Sequence, residues 1–555
     1  MVKLGGFSGL FVRWAFRFVL PPLGCCVLAI TGSAAFAQQM PGSKPDPAFD
    51  VLEFRVEGNS VLSAREIERA VMPFLGEKRH FSDVEAARKA LEDTYQKAGY
   101  QTVFVDIPEQ RVTEGVVRLH VLEGKVGQQR ITGSRYYEQG QIRAAVPELA
   151  SGSVPDFNAM QQQLAQLNRS VDRQVSPILT PGRTPGTVDV NLSVKDQLPL
   201  HGDIEDDNYA SPFTTADRAN VALHYDNLWQ LQHSLALSYQ VAPEKPSETN
   251  VLYGTYLWRF SGSDNVVSLY GIRSNSDVAV VGSATILGNA KIAGARWIDP
   301  LGSGNGEDLT YFHSFTFGID RKDFAQTNIS AQTAGLTVLP EITYYPLSAN
   351  YGATFVHSHS TEQFSFGLVT APRSLFGNTD AKFQSRRVLG DASFMIWKWD
   401  GFWDQILSHR WSLYAHLAGQ WTADPLIPNE QFITGGAGSV RGYRESEISG
   451  DRGTNATLEM RWYTHVRAST APTAESVYLC AFADGAQAYL VEPAGPQISE
   501  ISIASMGLGL HGQGWHGLHF AFDLAKALRE GGRGVNSPIT PQGAVRLDAS
   551  LGYGF

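Results

Sequence analysis

From Leu200 to Phe555 the chain is written in a two-residue period, with apolar and polar side chains alternating along short segments. Val221, Leu223 and Tyr225 form one such segment, and Leu235, Leu237 and Tyr239 another. In a longer one, Leu309, Tyr311, Phe315, Phe317 and Ile319 share a face, while Thr310, Ser314, Thr316 and Asp320 share the other. In the last, Val545, Leu547, Ala549, Leu551, Tyr553 and Phe555 alternate with Arg546, Asp548, Ser550, Gly552 and Gly554. An apolar face and a polar face on every strand suit a transmembrane antiparallel β-barrel, with lipid outside and water or a polar plug inside. No stretch here supplies the about 20 uncharged apolar residues of a spanning helix, so a membrane-embedded form must be a closed barrel. At about 22 residues per strand and connection, residues 198–555 make about 16 strands, and a barrel that wide has a lumen to be filled. Turn residues such as Ser261-Gly262-Ser263-Asp264, 54 glycines and only 18% charged residues fit the same reading.

The other end of the chain reads as an export signal. Lys3, Arg13 and Arg17 come first with no acid, then the uncharged run from Phe18 to Ile30, then Ala35-Phe36-Ala37. This predicts a signal peptide over 1–37, cleaved between Ala37 and Gln38. The run holds Pro21-Pro22 and falls short of a spanning helix. Cleavage removes Cys25, Cys26 and three positive charges, leaving Cys480 and a formal charge of −13 (−10 minus 3). One cysteine allows no disulfide framework or cysteine-built metal site, and no cofactor or metal is expected. The acidic balance argues against a nucleic-acid partner.

After a short Pro-rich linker over 38–50, residues 51–124 carry the order β-α-α-β-β. Leu52, Phe54 and Val56 alternate into the turn Gly58-Asn59. Ser63 with Glu66, and Ser82 with Glu85, have the spacing of capping boxes that open two helices. Val84, Ala87, Leu91 and Tyr95 then recur at helical spacing, before strands at Val103–Ile107 and Val117–Val121. Residues 125–197 repeat the order more weakly. A strand lies around Ile131, a helix carries Ile142 and Val146, a second helix opens at Asp156, and strands follow around Val175–Leu179 and Val188–Val194.

The most specific string is Gly435-Gly436-Ala437-Gly438-Ser439-Val440-Arg441-Gly442-Tyr443-Arg444-Glu445, within a loop of about 423–453. It is not a phosphate-cradling loop, since it lacks the Lys-Ser/Thr ending and completes no G-x-G-x-x-G. No G-x-S-x-G elbow or H-E-x-x-H is present, and His357 and His359 read as loop or lumen residues, so no enzyme is expected. The tandem β-α-α-β-β modules resemble POTRA domains. The terminal aromatic strand ending Tyr553-Gly554-Phe555 resembles the assembly signal of outer-membrane barrels. Val440-Arg441-Gly442-Tyr443 in a long loop resembles the signature of the outer-membrane POTRA-barrel superfamily. Its surroundings are similar to the two-partner secretion transporters, the TpsB or ShlB/FhaC/HecB type.

The resemblance covers essentially the whole mature chain. It implies an outer-membrane translocator whose periplasmic POTRA pair recognises an exoprotein bearing an N-terminal secretion domain, a TpsA-like adhesin, haemolysin or related protein. That partner passes unfolded through the pore without ATP. It further implies that the loop folds back into the lumen, where Arg441 meets an aspartate of the barrel wall, Asp484. The family pattern there is F-x-D-x-G, whereas Phe482-Ala483-Asp484 is followed at once by Gly485 and then Ala486. A bidentate guanidinium–carboxylate pair would fix a flexible loop at one height in the pore. Partners implied besides the exoprotein are outer-membrane lipid and the barrel-assembly machinery, with a monomeric barrel. The alternative is an assembly insertase of the same superfamily, which usually carries more POTRA modules; a diffusion porin explains neither the modules nor the loop. The 38–50 segment is too short and Pro-rich for the pore-plugging helix of some relatives, leaving closure to the Arg441 loop alone.

Overall fold

The computed structural model describes residues 48–555 apart from 213, 261, 277, 282–283, 288, 307, 332–334, 465–475, 494–496, 516 and 533–538. The expected signal peptide, its Ala37–Gln38 cleavage site and most of the 38–50 linker therefore lie outside the described residues. The remainder forms two units, one ending at Pro199 and one beginning at Leu200.

In the first unit, Val116–Glu123 is the middle of a three-stranded sheet, parallel to Glu53–Glu57 and antiparallel to Val103–Asp106. The 17-residue helix Phe81–Lys97 lays Val84, Ala87, Leu91 and Tyr95 on this sheet, against Val103, Val105, Val117, Leu119 and Val121. Tyr95 can be buried because its hydroxyl donates to Asn59 Oδ1 (2.7 Å), and the same amide closes the Asn59–Leu62 turn. Burial also pushes the Tyr95 phenol well above its usual range. Ser63 and Glu66 form the expected capping box. The second box is made by His80 and Asp83 rather than Ser82 and Glu85, with His80 N–H donating to Asp83 Oδ2 (2.9 Å). The helix therefore begins at Phe81, and Glu85 instead accepts from Arg88 (2.9 Å). The linker is also shorter than expected, because Phe49–Val51 is already a strand, paired with Gly76–Arg79. Leu91 is fully buried. Leu91→Ala should destabilise this module by about 2–5 kcal/mol, read as faster amide exchange across 84–121 with barrel amides unchanged.

Residues 125–196 repeat the topology, with Thr187–Asp196 parallel to Lys125–Thr132 and antiparallel to Arg173–Pro181. Asp156 caps the helix Phe157–Leu167 by accepting from Asn158 N (2.8 Å) and Ala159 N (3.3 Å). Val146 lies just past the helix Gln139–Ala144, yet joins the same core. Arg173 went unread in the sequence. Its guanidinium lies 4.6 Å from the Tyr137 ring centroid and donates to Leu167 O, placing a cation at a helix C-terminus.

The second unit is a closed antiparallel barrel of 16 strands, running from Leu200–Asp207 to Val545–Gly554. The last strand closes on the first between Ser550, opposite Asp207, and Gly554, opposite Asp203. An even strand number brings both barrel termini to one end. Short turns such as 229–232 and 409–410 lie at that end; the connections 371–394, 423–451 and 528–544 lie at the other. Alternation decides the faces. On the last strand Val545, Leu547, Leu551 and Tyr553 are each at least 50% exposed, whereas inward Asp548 is 1% exposed. Ile342–Tyr344 and Leu347–His357 both pair with Leu309–Phe324 and act as one interrupted strand.

Candidate functional site: the arginine loop

The loop 423–451 folds against the inner wall because that wall carries carboxylates where the outer wall carries leucines. Arg441 is 4% exposed. It binds Asp484 bidentately, Nε to Oδ2 and Nη2 to Oδ1, each at 2.8 Å, and its backbone N–H adds a third bond to Oδ2 (3.1 Å). The remaining terminal nitrogen, Nη1, donates to Glu459 Oε1 (2.7 Å) and lies 3.5 Å from Asp523 Oδ1. The guanidinium carbon sits 3.5 Å from the Phe482 ring centroid. Glu459 also pairs with Arg461 (Nη2 to Oε2, 2.6 Å), whose guanidinium stacks on Tyr414 (3.8 Å) and lies 3.8 Å from Asp404. Such a pair holds only when both charges are desolvated together and their remaining hydrogen-bonding positions are filled.

The neighbouring motif residues complete the fit. Val440 and Tyr443 are fully buried and pack with Ile448, Ala486, Ala488 and Ile503. The Tyr443 hydroxyl lies 2.9 Å from Ala504 O and 2.8 Å from Arg529 O. Gly442 has φ +86°, its N–H donates to Asp548 Oδ2 (3.0 Å), and a Cβ there would come 2.9 Å from Ala525 Cβ. A side chain at 442 would thus be strained twice, by backbone conformation and by contact. Glu445 accepts from Ala437 N (2.8 Å), and Glu447 from Gly532 N (3.1 Å) and Thr540 Oγ1 (3.0 Å).

At the base of the loop, Asp451 is 0% exposed. It binds Arg387 bidentately (2.8 Å twice) and accepts from Leu426 N (3.1 Å), Gln431 Nε2 (3.0 Å) and Val491 N (2.7 Å). One carboxylate thereby ties together three connections. The 371–394 segment also packs Phe383 and Phe394 in one cluster with Leu426 and Ile427. The arginine loop is therefore not alone inside the barrel, contrary to the sequence expectation. The loop is also two residues shorter at its end than expected, since Arg452 and Gly453 already belong to the strand Arg452–Tyr463.

The sequence reading paired Arg441 with Asp484, and the structure brings them together. It missed Glu459, Arg461, Asp523 and Asp548. Their signal was present in the alternation: Glu459 falls between Leu458 and Met460, which are 51% and 39% exposed, and Arg461 follows Met460, so both charges had to point inward. Tyr553 and Phe555 point outward, 50% and 56% exposed. Phe555 exchanges backbone hydrogen bonds with Gly202 of the first strand (2.9 and 3.0 Å). His357 and His359 flank the turn at Ser358, with His357 3.7 Å from Glu362 and His359 bonded to the Ser358 hydroxyl (2.8 Å).

These features define a class: an outer-membrane β-barrel transporter with POTRA modules, which lie in the periplasm in this class. The sequence profile of the ShlB-type POTRA domain matches residues 49–124, and that of the haemolysin secretion/activation protein ShlB/FhaC/HecB matches residues 320–512. The outer membrane transporter CdiB of Dickeya dadantii (strain 3937) is 25% identical over 459 residues, 80% of this chain and 77% of that protein. CdiB of Escherichia coli O6:K15:H31 is 24% identical over 439 residues, covering 75% and 69%. In fold, the chain is similar to CdiB from Escherichia coli (TM-score 0.59, 18% identity, 93% of each chain). It is also similar to BamA from Haemophilus ducreyi lacking POTRA domains 1–3 (TM-score 0.53, 14% identity, 92% and 100%). The profiles and curated relatives that the chain matches are those of TpsB-type outer-membrane transporters of two-partner secretion, a family whose members transport a partner exoprotein.

Proposed function

We propose that the POTRA pair captures one exported protein in the periplasm by its N-terminal secretion domain, and that the barrel passes it outward as an extended chain without nucleotide. The observation that carries this is the pairing of two modules whose three-stranded sheets end in edge strands with an Arg441-held loop inside a 16-strand barrel. Adding a strand to such an edge supplies main-chain hydrogen bonds without demanding one side-chain sequence. Folding beyond the outer surface withdraws extended chain from the pore and gives the process its direction. The 423–451 and 371–394 connections serve as the resting closure and must shift for passage. The role is transport and not catalysis, and the barrel works as a monomer. Outward residues such as Leu458, Leu508 and Leu524 face lipid. Tyr553 and Phe555 present the closing strand to the barrel-assembly machinery. Deleting residues 51–197 should abolish export while the barrel still reaches the outer membrane; export that survives the deletion overturns capture by the POTRA pair.

The fold similarity to BamA makes an assembly insertase the competing reading. Two modules in this chain and curated relatives described as transporters favour secretion.

A further inference from the structure

Three inward-facing side chains on consecutive strands converge beside the arginine pocket. Cys480 lies on Ser476–Tyr489, His511 on Glu500–Trp515 and Asp523 on Leu518–Ala527. They are 3%, 4% and 3% exposed, and their donor atoms all lie within 4.8 Å of one another. Between them is Gly509, opposite Cys480 on one side and Asp523 on the other. A Cβ on Gly509 would sit 2.7 Å from Cys480 Sγ, 2.8 Å from His511 Nε2, and closer still to Asp523 Oδ1. The glycine thus leaves open a small space at which all three donors are aimed. The His511 ring is held in plane by stacking on Tyr478, 5.1 Å between centroids and 7° between planes.

Thiolate, imidazole and carboxylate are the ligand types zinc takes in proteins.

We propose that Cys480, His511 and Asp523 form a site for a divalent metal of the zinc and cobalt class, with a fourth position for water. Binding forms a metal–sulfur bond and releases the thiol proton to solvent. Because Asp523 Oδ1 lies 3.0 Å from His511 Nε2 and 3.5 Å from Arg441 Nη1, the metal shares a carboxylate with the arginine that holds the loop. The full chain, purified in detergent, stripped with chelator and titrated with Co²⁺, tests this. About one equivalent should bind with thiolate-to-cobalt charge-transfer absorption, and Zn²⁺ should displace it. Cys480→Ser should abolish the band, and His511→Asn should weaken binding at least about tenfold, with circular dichroism confirming an intact barrel in both. Absence of the band in the unsubstituted protein overturns the site whatever the variants do, and so does a band that persists in Cys480→Ser.

Discussion

Arg441→Ala is expected to free the 423–451 loop from the barrel wall and to raise the ion conductance of the purified barrel in planar bilayers. The substitution leaves Asp484 and Glu459 buried without the guanidinium that bridges them. Removing one partner of a buried pair costs about 3–5 kcal/mol, enough to change the loop from almost always docked to frequently released. Arg441→Lys should fall between the two, because an ammonium carries the charge but cannot form the two-pronged bond. Asp484→Ala should resemble Arg441→Ala, and the double variant should lose less than the sum of the singles, since both remove one interaction. Conductance and protease resistance of the loop unchanged in Arg441→Ala would contradict this account.

Asp451→Ala is expected to loosen three connections at once. It strips Arg387 of its counter-charge and removes the acceptor for the Leu426 and Val491 amides. The expected cost is again about 3–5 kcal/mol. Hydrogen exchange should accelerate in 371–394, in 423–451 and at Val491, while strand amides on the far side of the barrel keep their protection. Replacing Arg387 and Asp451 together by apolar residues of similar volume should recover part of the loss, because no buried charge is then left unpaired. Acceleration confined to 423–451 would show that Arg387 is held by something other than Asp451.

Much of this architecture is legible in the sequence because barrel strands announce themselves by period. Leu547, Leu551 and Tyr553 face outward and Asp548 inward on the strand where alternation places them. The helix Phe81–Lys97 is legible for the same kind of reason, through Val84, Ala87, Leu91 and Tyr95. Its start was misplaced because Ser82–Glu85 and His80–Asp83 offer the same spacing, and only the local hydrogen bonds decide between them. The Arg441–Asp484 pair is legible through motif resemblance, although the aspartate's context departs from the family pattern. What sequence order conceals is lateral adjacency. Glu459, Asp484 and Asp523 lie on three of four consecutive strands, and only the register between those strands sets them around one guanidinium. The same adjacency gathers Cys480, His511 and Asp523, which a count of cysteines dismissed.

The central claim is that this chain is dedicated to exporting one partner. The most direct test compares a deletion strain with its parent by quantitative proteomics of culture supernatant and outer membrane. The account predicts loss of one large exoprotein from the supernatant with the barrel proteins of the outer membrane unchanged. A broad fall in many outer-membrane barrels, with the secreted proteins otherwise intact, would contradict it and assign the chain to barrel assembly instead.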